Sequence, residues 1–263
     1  MTRSRRSPDL SSIVRTSENV SGDITEMRSF MKRVLVSWSS GKDCAWALHL
    51  LRQQPGIEIV ALLTTINSEF DRVAMHGTRT AILEAQASAA KLPLWKIPLP
   101  WPCSNEEYER RMADVCLRAV REGIDAIAFG DLFLRDVRAY REKQLQSTGI
   151  EPLFPLWDLP TPELARSIIA GGLRAKLVCV DSRQLDSSFA GRDFDTNLLA
   201  DLPPEVDPCG ERGEFHSCVY DGPMFSHPIA LEAGEVVNRD GFIYADFKAT
   251  GVELSPRPAP ALR

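Results

Sequence analysis

From Met31 onward, short apolar runs alternate with helical stretches, and no other feature of the sequence constrains the fold as strongly. Val34-Leu35-Val36 and residues 57–63, 94–99 and 125–129 are too short for helices and suit strands buried on both faces. Between them, helices are expected over about 43–54, 78–91 and 104–122. The first carries Ala45, Leu48 and Leu51 on one face and stops at Pro55-Gly56; the third opens on the capping-box pattern Ser104-x-x-Glu107. Strands alternating with helices predict an α/β fold, a doubly wound parallel sheet with helices on both faces. Ligands of such sheets bind beyond the C-terminal ends of the strands, where residues 37–43 and Gly130-Asp131 fall.

Beyond about residue 148 the pattern changes. Pro152, Pro155, Pro160 and Pro162 punctuate the chain, and Thr161-Pro162 suits an N-cap followed by proline at the first helical position. A strand is expected over 175–180, followed by a polar stretch over 181–208. Apolar runs around Asp240-Gly241 within 229–248 signal a hairpin. The expected organisation is a disordered leader over 1–30, a nucleotide-type domain over 31–148, and a smaller α+β domain over 149–263 that ends in a β-hairpin. The leader holds five Arg and four acidic residues and lacks the apolar segment of a secretory signal; Met27 and Met31 are alternative starts.

Charge and cysteine usage narrow the function classes. Thirty-one Lys and Arg against 36 Asp and Glu give a net charge of −5, which disfavours bulk nucleic-acid binding. No run approaches the roughly 18 apolar residues of a membrane span. Six cysteines without a C-x-x-C pair suit reduced thiols in a cytoplasmic protein. Cys209, His216 and Cys218 match no standard zinc spacing.

The segment between the first strand and the first helix carries the chemistry. Ser37, Ser39, Ser40 and Gly41 are small enough for the backbone to approach a phosphate. The following helix N-terminus favours negative charge, and Lys42 adds a cation. A Walker A loop would need glycine where Val36 stands and Ser or Thr where Asp43 stands, so that reading fails. The bland alternative is an ordinary turn with a solvated Lys-Asp pair. Ser39-Ser40-Gly41-Lys42-Asp43-Cys44 resembles the S-G-G-K-D-S motif of the PP-loop ATP pyrophosphatases, with Ser40 in place of glycine and Cys44 in place of serine.

A longer segment, residues 209–225 (CGERGEFHSCVYDGPMF), is similar to the C-terminal signature of the diphthine–ammonia ligase family, whose members pair it with an N-terminal PP-loop. His76, Gly130-Asp131-Leu132, Arg138, Glu142, Gly149 and residues 152–157 resemble the landmarks between the two, so the resemblance covers about residues 32–225. It implies a HUP-type, Rossmann-like ATP-binding domain and ATP-dependent amidation of a carboxylate. In that reaction the carboxylate attacks the α-phosphorus, pyrophosphate leaves, and ammonia displaces AMP.

The resemblance also implies roles. Ser37, Ser39, Ser40, Gly41, Lys42, Asp43, Cys44, His76, Gly130, Asp131 and Arg138 would contact ATP, with Lys42 reaching the departing pyrophosphate from a loop exposed at the sheet edge. Asp43 and Asp131 would serve Mg²⁺. Glu211, Glu214 and His216 would hold ammonia or take its proton. Each has a plainer reading: a solvated turn for the glutamates, a packed strand histidine for His216, a structural loop histidine for His76, and a solvated helix face for Arg138 and Arg141.

His216 stands where diphthine-modifying members carry an acidic residue, and Tyr140 where they carry a second arginine. The expected partners are ATP, ammonia and a carboxylate acceptor. The acceptor is diphthine on elongation factor 2 or another carboxylate, such as that of a corrinoid; a homodimer is allowed. Two other classes stay open: tRNA thiolation by a PP-loop enzyme, and a non-catalytic adenine-nucleotide-binding module.

Overall fold

A computed structural model describes residues 31–73 and 77–250, so the expected leader and His76 lie outside the described residues. The first strand, β1 (Lys32–Ser37), is apolar on both sides. Val34 and Val36 face one buried cluster and Leu35 the other, the period-two alternation of a strand covered on both faces. Helix α1 (Lys42–Leu51) starts directly after Gly41 and packs Cys44, Ala45, Leu48 and Leu51 on the first face. Strands β2 (Ile57–Asn67), β3 (Arg72–Val73), β4 (Leu94–Leu99) and β5 (Ala126–Ala128) follow, with α2 (Thr80–Ala90) and α3 (Asn105–Arg121) between them. Helix α3 covers the second face through Val115, Cys116 and Ala119. Ser104 caps α3 by accepting the Glu107 N–H at 3.2 Å. The Glu107 carboxylate turns to Arg110 and Arg111.

Helix α4 (Arg135–Leu145) leads to β6 (Glu151–Leu153), a fifth parallel strand that the sequence pattern does not reveal. It carries the parallel sheet past residue 148. The parallel strands lie in the order β4-β2-β1-β5-β6, with β3 antiparallel at the end of β2. The connections run outward in opposite directions from β1 and β5. The crevice between those strands is therefore the switch point at which open α/β sheets bind ligands.

The rest of the chain builds an antiparallel sheet. Helix α5 (Thr161–Ala170) begins after Pro160, which occupies the N-cap; Thr161, expected there, instead donates its hydroxyl to Asp207 at 2.7 Å. Strand β7 (Arg174–Asp181), helix α6 (Thr196–Asp201), β8 (Phe215–Asp221), β9 (Leu231–Arg239) and β10 (Phe242–Ala249) complete the fold. The sheet order is β8-β7-β10-β9. The β9–β10 hairpin turns on Asp240 (φ 52°) and Gly241 (φ 84°), both in the left-handed region that a tight hairpin needs.

Helix α2 joins the two sheets. Leu83 and Ala87 belong to the cluster that includes Val34 and Val36, while Ile82 packs with Val178, Cys218, Ala245 and Phe247 of the antiparallel sheet. A helix buried on nearly every side is what an Ala-rich sequence with little polar surface permits. Arg79, just before α2, and Arg72 both bind the Asp246 carboxylate of β10.

Candidate functional site

The loop after β1 is held from three sides. Ser40, buried and at φ 72°, takes a left-handed conformation that disfavours a side chain. Its hydroxyl donates to Thr78 Oγ1 at 2.9 Å, and its carbonyl accepts from Gln86 Nε2 at 3.1 Å and from the Val219 N–H at 2.9 Å. Gln86, wholly buried on α2, is a hub. Its Oε1 accepts from Trp38 Nε1 at 2.8 Å, and its Nε2 also donates to the Val219 carbonyl at 2.7 Å. No motif marks Gln86; the available signal is an amide among the apolar positions of a helix. From β8, Ser217 Oγ accepts the Lys42 N–H at 3.1 Å.

Lys42 departs from expectation. Only 2 % exposed, its ammonium donates to Asp43 Oδ2 at 2.9 Å and to the Cys209 carbonyl, between the rings of Phe194 and Phe215, each 5.4 Å away. The loop is not exposed at the sheet edge, and Lys42 is an internal cation that pins the C-terminal signature onto the phosphate loop. Burial opposes its charge, but Asp43 above all holds its pKa above the ordinary lysine value. Burial pushes the Asp43 carboxyl up, against the pull of Lys42. Asp43 Oδ1 is buried without a hydrogen-bond partner. Cys44, at the position of the motif's serine, donates its thiol to the Gly41 carbonyl at 3.1 Å.

Across the crevice, β5 ends at Phe129-Gly130-Asp131. A Cβ on Gly130 would stand 2.7 Å from Cys44 N and 2.9 Å from Asp43 C, so only glycine lets this turn meet the α1 N-terminus. Burial raises the Asp131 pKa, countered by Arg141, and Asp43 raises it further, which places the two carboxylates within electrostatic reach of each other. Asp131 Oδ2, like Asp43 Oδ1, is buried without a hydrogen bond, and it forms an ion pair with Arg141 Nε at 3.7 Å. Two such oxygens fit a hard cation that takes one or two carboxylates and completes its shell with water and phosphate. Among the described residues no cluster of three or more His, Cys, Asp or Glu could hold a metal ion, which removes the zinc reading for Cys209, His216 and Cys218.

The acidic residues of the C-terminal signature divide. Glu211 Oε1 accepts the backbone N–H of Leu132 at 2.8 Å and of Phe133 at 3.4 Å, so it closes on the loop after β5. Burial, reinforced by Asp43, lifts its carboxyl to about 7. Glu214 is 1 % exposed, and its two oxygens accept the N–H groups of Asp207 and Arg212, both at 2.9 Å. It ties the turn together through both oxygens. His216 alternates with Phe215 and Ser217 on β8 and pairs in register with Cys179. Burial, assisted by Lys42, drops its pKa to about 4, so the imidazole is neutral near pH 7.

A cavity of about 1100 Å³ opens at the crevice, lined by Ser37, Trp38 and Ser39 of the first loop, by Phe129, and by α3 and α4 residues that include Tyr108, Tyr140 and Arg141. Arg138, expected to contact ATP, lies over Phe154 and Trp157 at 4.7 Å from each ring and pairs with Glu142 at 2.8 Å. Arg141, expected on a solvated face, lines the cavity. No described helix is long and apolar enough to cross a membrane.

Comparison with known proteins agrees with this arrangement. Residues 31–152 match the family model of the diphthamide synthase N-terminal domain, and residues 161–248 that of the diphthamide synthase C-terminal domain. The chain is 24% identical over 235 residues to the diphthine–ammonia ligase of Bos taurus, covering 81% of this chain and 88% of the relative. It is 24% identical over 227 residues to that of Homo sapiens, covering 78% and 85%. Against the Schizosaccharomyces pombe diphthine–ammonia ligase it is 25% identical over 225 residues, 78% of this chain but 37% of that longer protein. With both domains matched in order, and with the two segments they carry meeting at Lys42, the chain belongs to the diphthamide synthase family.

Proposed function

We propose that the protein is an ATP-dependent amidating ligase that cleaves ATP between the α and β phosphates. The observation that carries this reading is the contact of Lys42 with Cys209, 167 residues away in sequence, which joins the phosphate loop to the C-terminal signature in one site. The cavity at the switch point receives the nucleotide, with Ser37 and Ser39 along one wall. The fixed charge of Lys42 and the N-terminal end of α1 offset negative charge on the phosphates. Asp43 and Asp131 are the residues that would hold Mg²⁺; bound there, it would neutralise phosphate charge during displacement.

The acceptor carboxylate attacks the α-phosphorus and pyrophosphate leaves. Ammonia then attacks the acyl carbon, AMP departs, and the nitrogen loses a proton. Glu211, with a carboxyl near 7 and in electrostatic contact with Asp43, is the group matched to that proton transfer near neutral pH. Glu214 holds the turn that presents it.

The relatives are named for diphthine, whose trimethylammonium group favours an anionic surrounding. His216 is neutral here, and Tyr140 lines the cavity where a second arginine is expected from the family pattern. Those two residues favour a related carboxylate, such as that of a corrinoid, as the second reading. Incubation with ATP, Mg²⁺, ammonium and a carboxylate panel that includes diphthine-bearing elongation factor 2 tests both. Equimolar AMP and pyrophosphate, dependent on ammonium and on one acceptor, are expected. ADP and orthophosphate, or sulfur transfer to tRNA, overturn the reading.

A further inference from the structure

Arg141 and Asp131 form a long ion pair beside the cavity. Arg141 Nε lies 3.7 Å from Asp131 Oδ2, too far for a hydrogen bond, and both atoms are buried without any hydrogen-bond partner. Buried polar groups in folded proteins are nearly always hydrogen-bonded, so an ion pair held too far apart for a hydrogen bond leaves both atoms able to take a further partner. The guanidinium carbon sits 5.0 Å from the centre of the Phe129 ring, a cation–π contact that does not consume its N–H donors. The side chain lines the cavity together with Ser37 and Ser39 of the phosphate loop.

We infer that Arg141 is the oxyanion-binding residue of this cavity, donating from its guanidinium edge to a phosphate or carboxylate oxygen seated between α4 and the loop after β1. The inference rests on the proposed ligase reading and deepens it. In that reaction both oxyanions meet at one place: the α-phosphoryl group of the nucleotide, and the carboxylate that attacks it. Tyr140, next in the chain, lines the same cavity and has its hydroxyl engaged by Gln144 at 2.6 Å; of the two cations that α4 brings to the lining, Arg141 and Lys143, only Arg141 has a buried nitrogen without a hydrogen bond.

Isothermal titration of ATP, AMP, adenosine and glutarate into the full chain, its Arg141→Met variant and its Arg141→Lys variant separates the possibilities. Loss of a charge-assisted hydrogen bond to an ion predicts a fall of about tenfold or more in affinity. If the α-phosphoryl group is the ligand, AMP binding falls by that factor in Arg141→Met, adenosine binding stays within about twofold, and Arg141→Lys recovers part of the loss. If the carboxylate is the ligand, the nucleotides bind as before and glutarate binding is lost. Unchanged affinity for all four ligands in both variants overturns the inference alone. Failure of the unmodified chain to bind ATP overturns the functional reading and the inference with it.

Discussion

The two loops that border the crevice are built on opposite principles. In the loop after β1, the groups of Ser40 and Lys42 are closed by hydrogen bonds to Thr78, to Gln86 of α2, to Ser217 of β8 and to the Cys209 turn. In the loop after β5, Asp131 is left with a bare buried oxygen facing Arg141. The first loop is held mainly by hydrogen bonds from the rest of the fold, with Asp43 Oδ1 an exception; the second presents Asp131 through a long ion pair to Arg141, with no hydrogen bond on Oδ2. Unpaired buried atoms are destabilising by about 1–3 kcal/mol each, so a native structure keeps them where something other than stability is selected.

Substitutions on the two sides should therefore separate stability from activity. The largest effect is expected for Lys42→Ala, which strips a buried ion pair of its cation and should destabilise the fold by about 3–5 kcal/mol in urea unfolding. A variant of full stability and no activity would return Lys42 to the role of an exposed, phosphate-reaching lysine. Next comes the Glu211 carboxyl, raised from the ordinary 4.5 to about 7 in the folded chain. A carboxyl whose folded pKa is raised favours the fold below its unfolded pKa, and that contribution is lost as pH rises through the folded pKa. Thermal melts should thus show the wild type losing stability relative to Glu211→Gln between about pH 4.5 and 7. A pH-independent difference would show the carboxyl to be solvated. Smallest in stability is Asp131→Asn, which keeps the side-chain shape and gives up a long, partly exposed ion pair with Arg141. It should change unfolding free energy by less than about 1 kcal/mol while abolishing Mg²⁺-dependent pyrophosphate release. Wild-type turnover in that variant would remove Asp131 from the metal site.

Much of this arrangement is legible in the sequence, because doubly covered strands have to be continuous apolar runs: β1, β2, β4 and β5 announce themselves, as does the Asp240-Gly241 hairpin. Strand β6 does not. Glu151-Pro152-Leu153 is a short edge segment that, among the described residues, pairs only with β5, so it needs no apolar run. Strand β8 hides behind the charged, glycine-rich turn at 209–214. Helical spacing shows that Arg138 and Arg141 share a face of α4; it does not tell which reaches Phe154 and which the cavity, since the tilt of α4 decides that. The burial of Lys42 is equally invisible, because the rings and carbonyl that enclose it come from residues 194, 209 and 215.

The Val219–Ser40 hydrogen bond bears on how the molecule is made. A ribosome delivers the turn at residue 40 early, yet the strand that clamps it emerges some 180 residues later, about ten to forty seconds at ordinary elongation speeds. Until then the nascent turn lacks its lid of β8 and its Cys209 anchor. The arrangement that joins residue 40 to the C-terminal signature is therefore incomplete until synthesis is nearly finished.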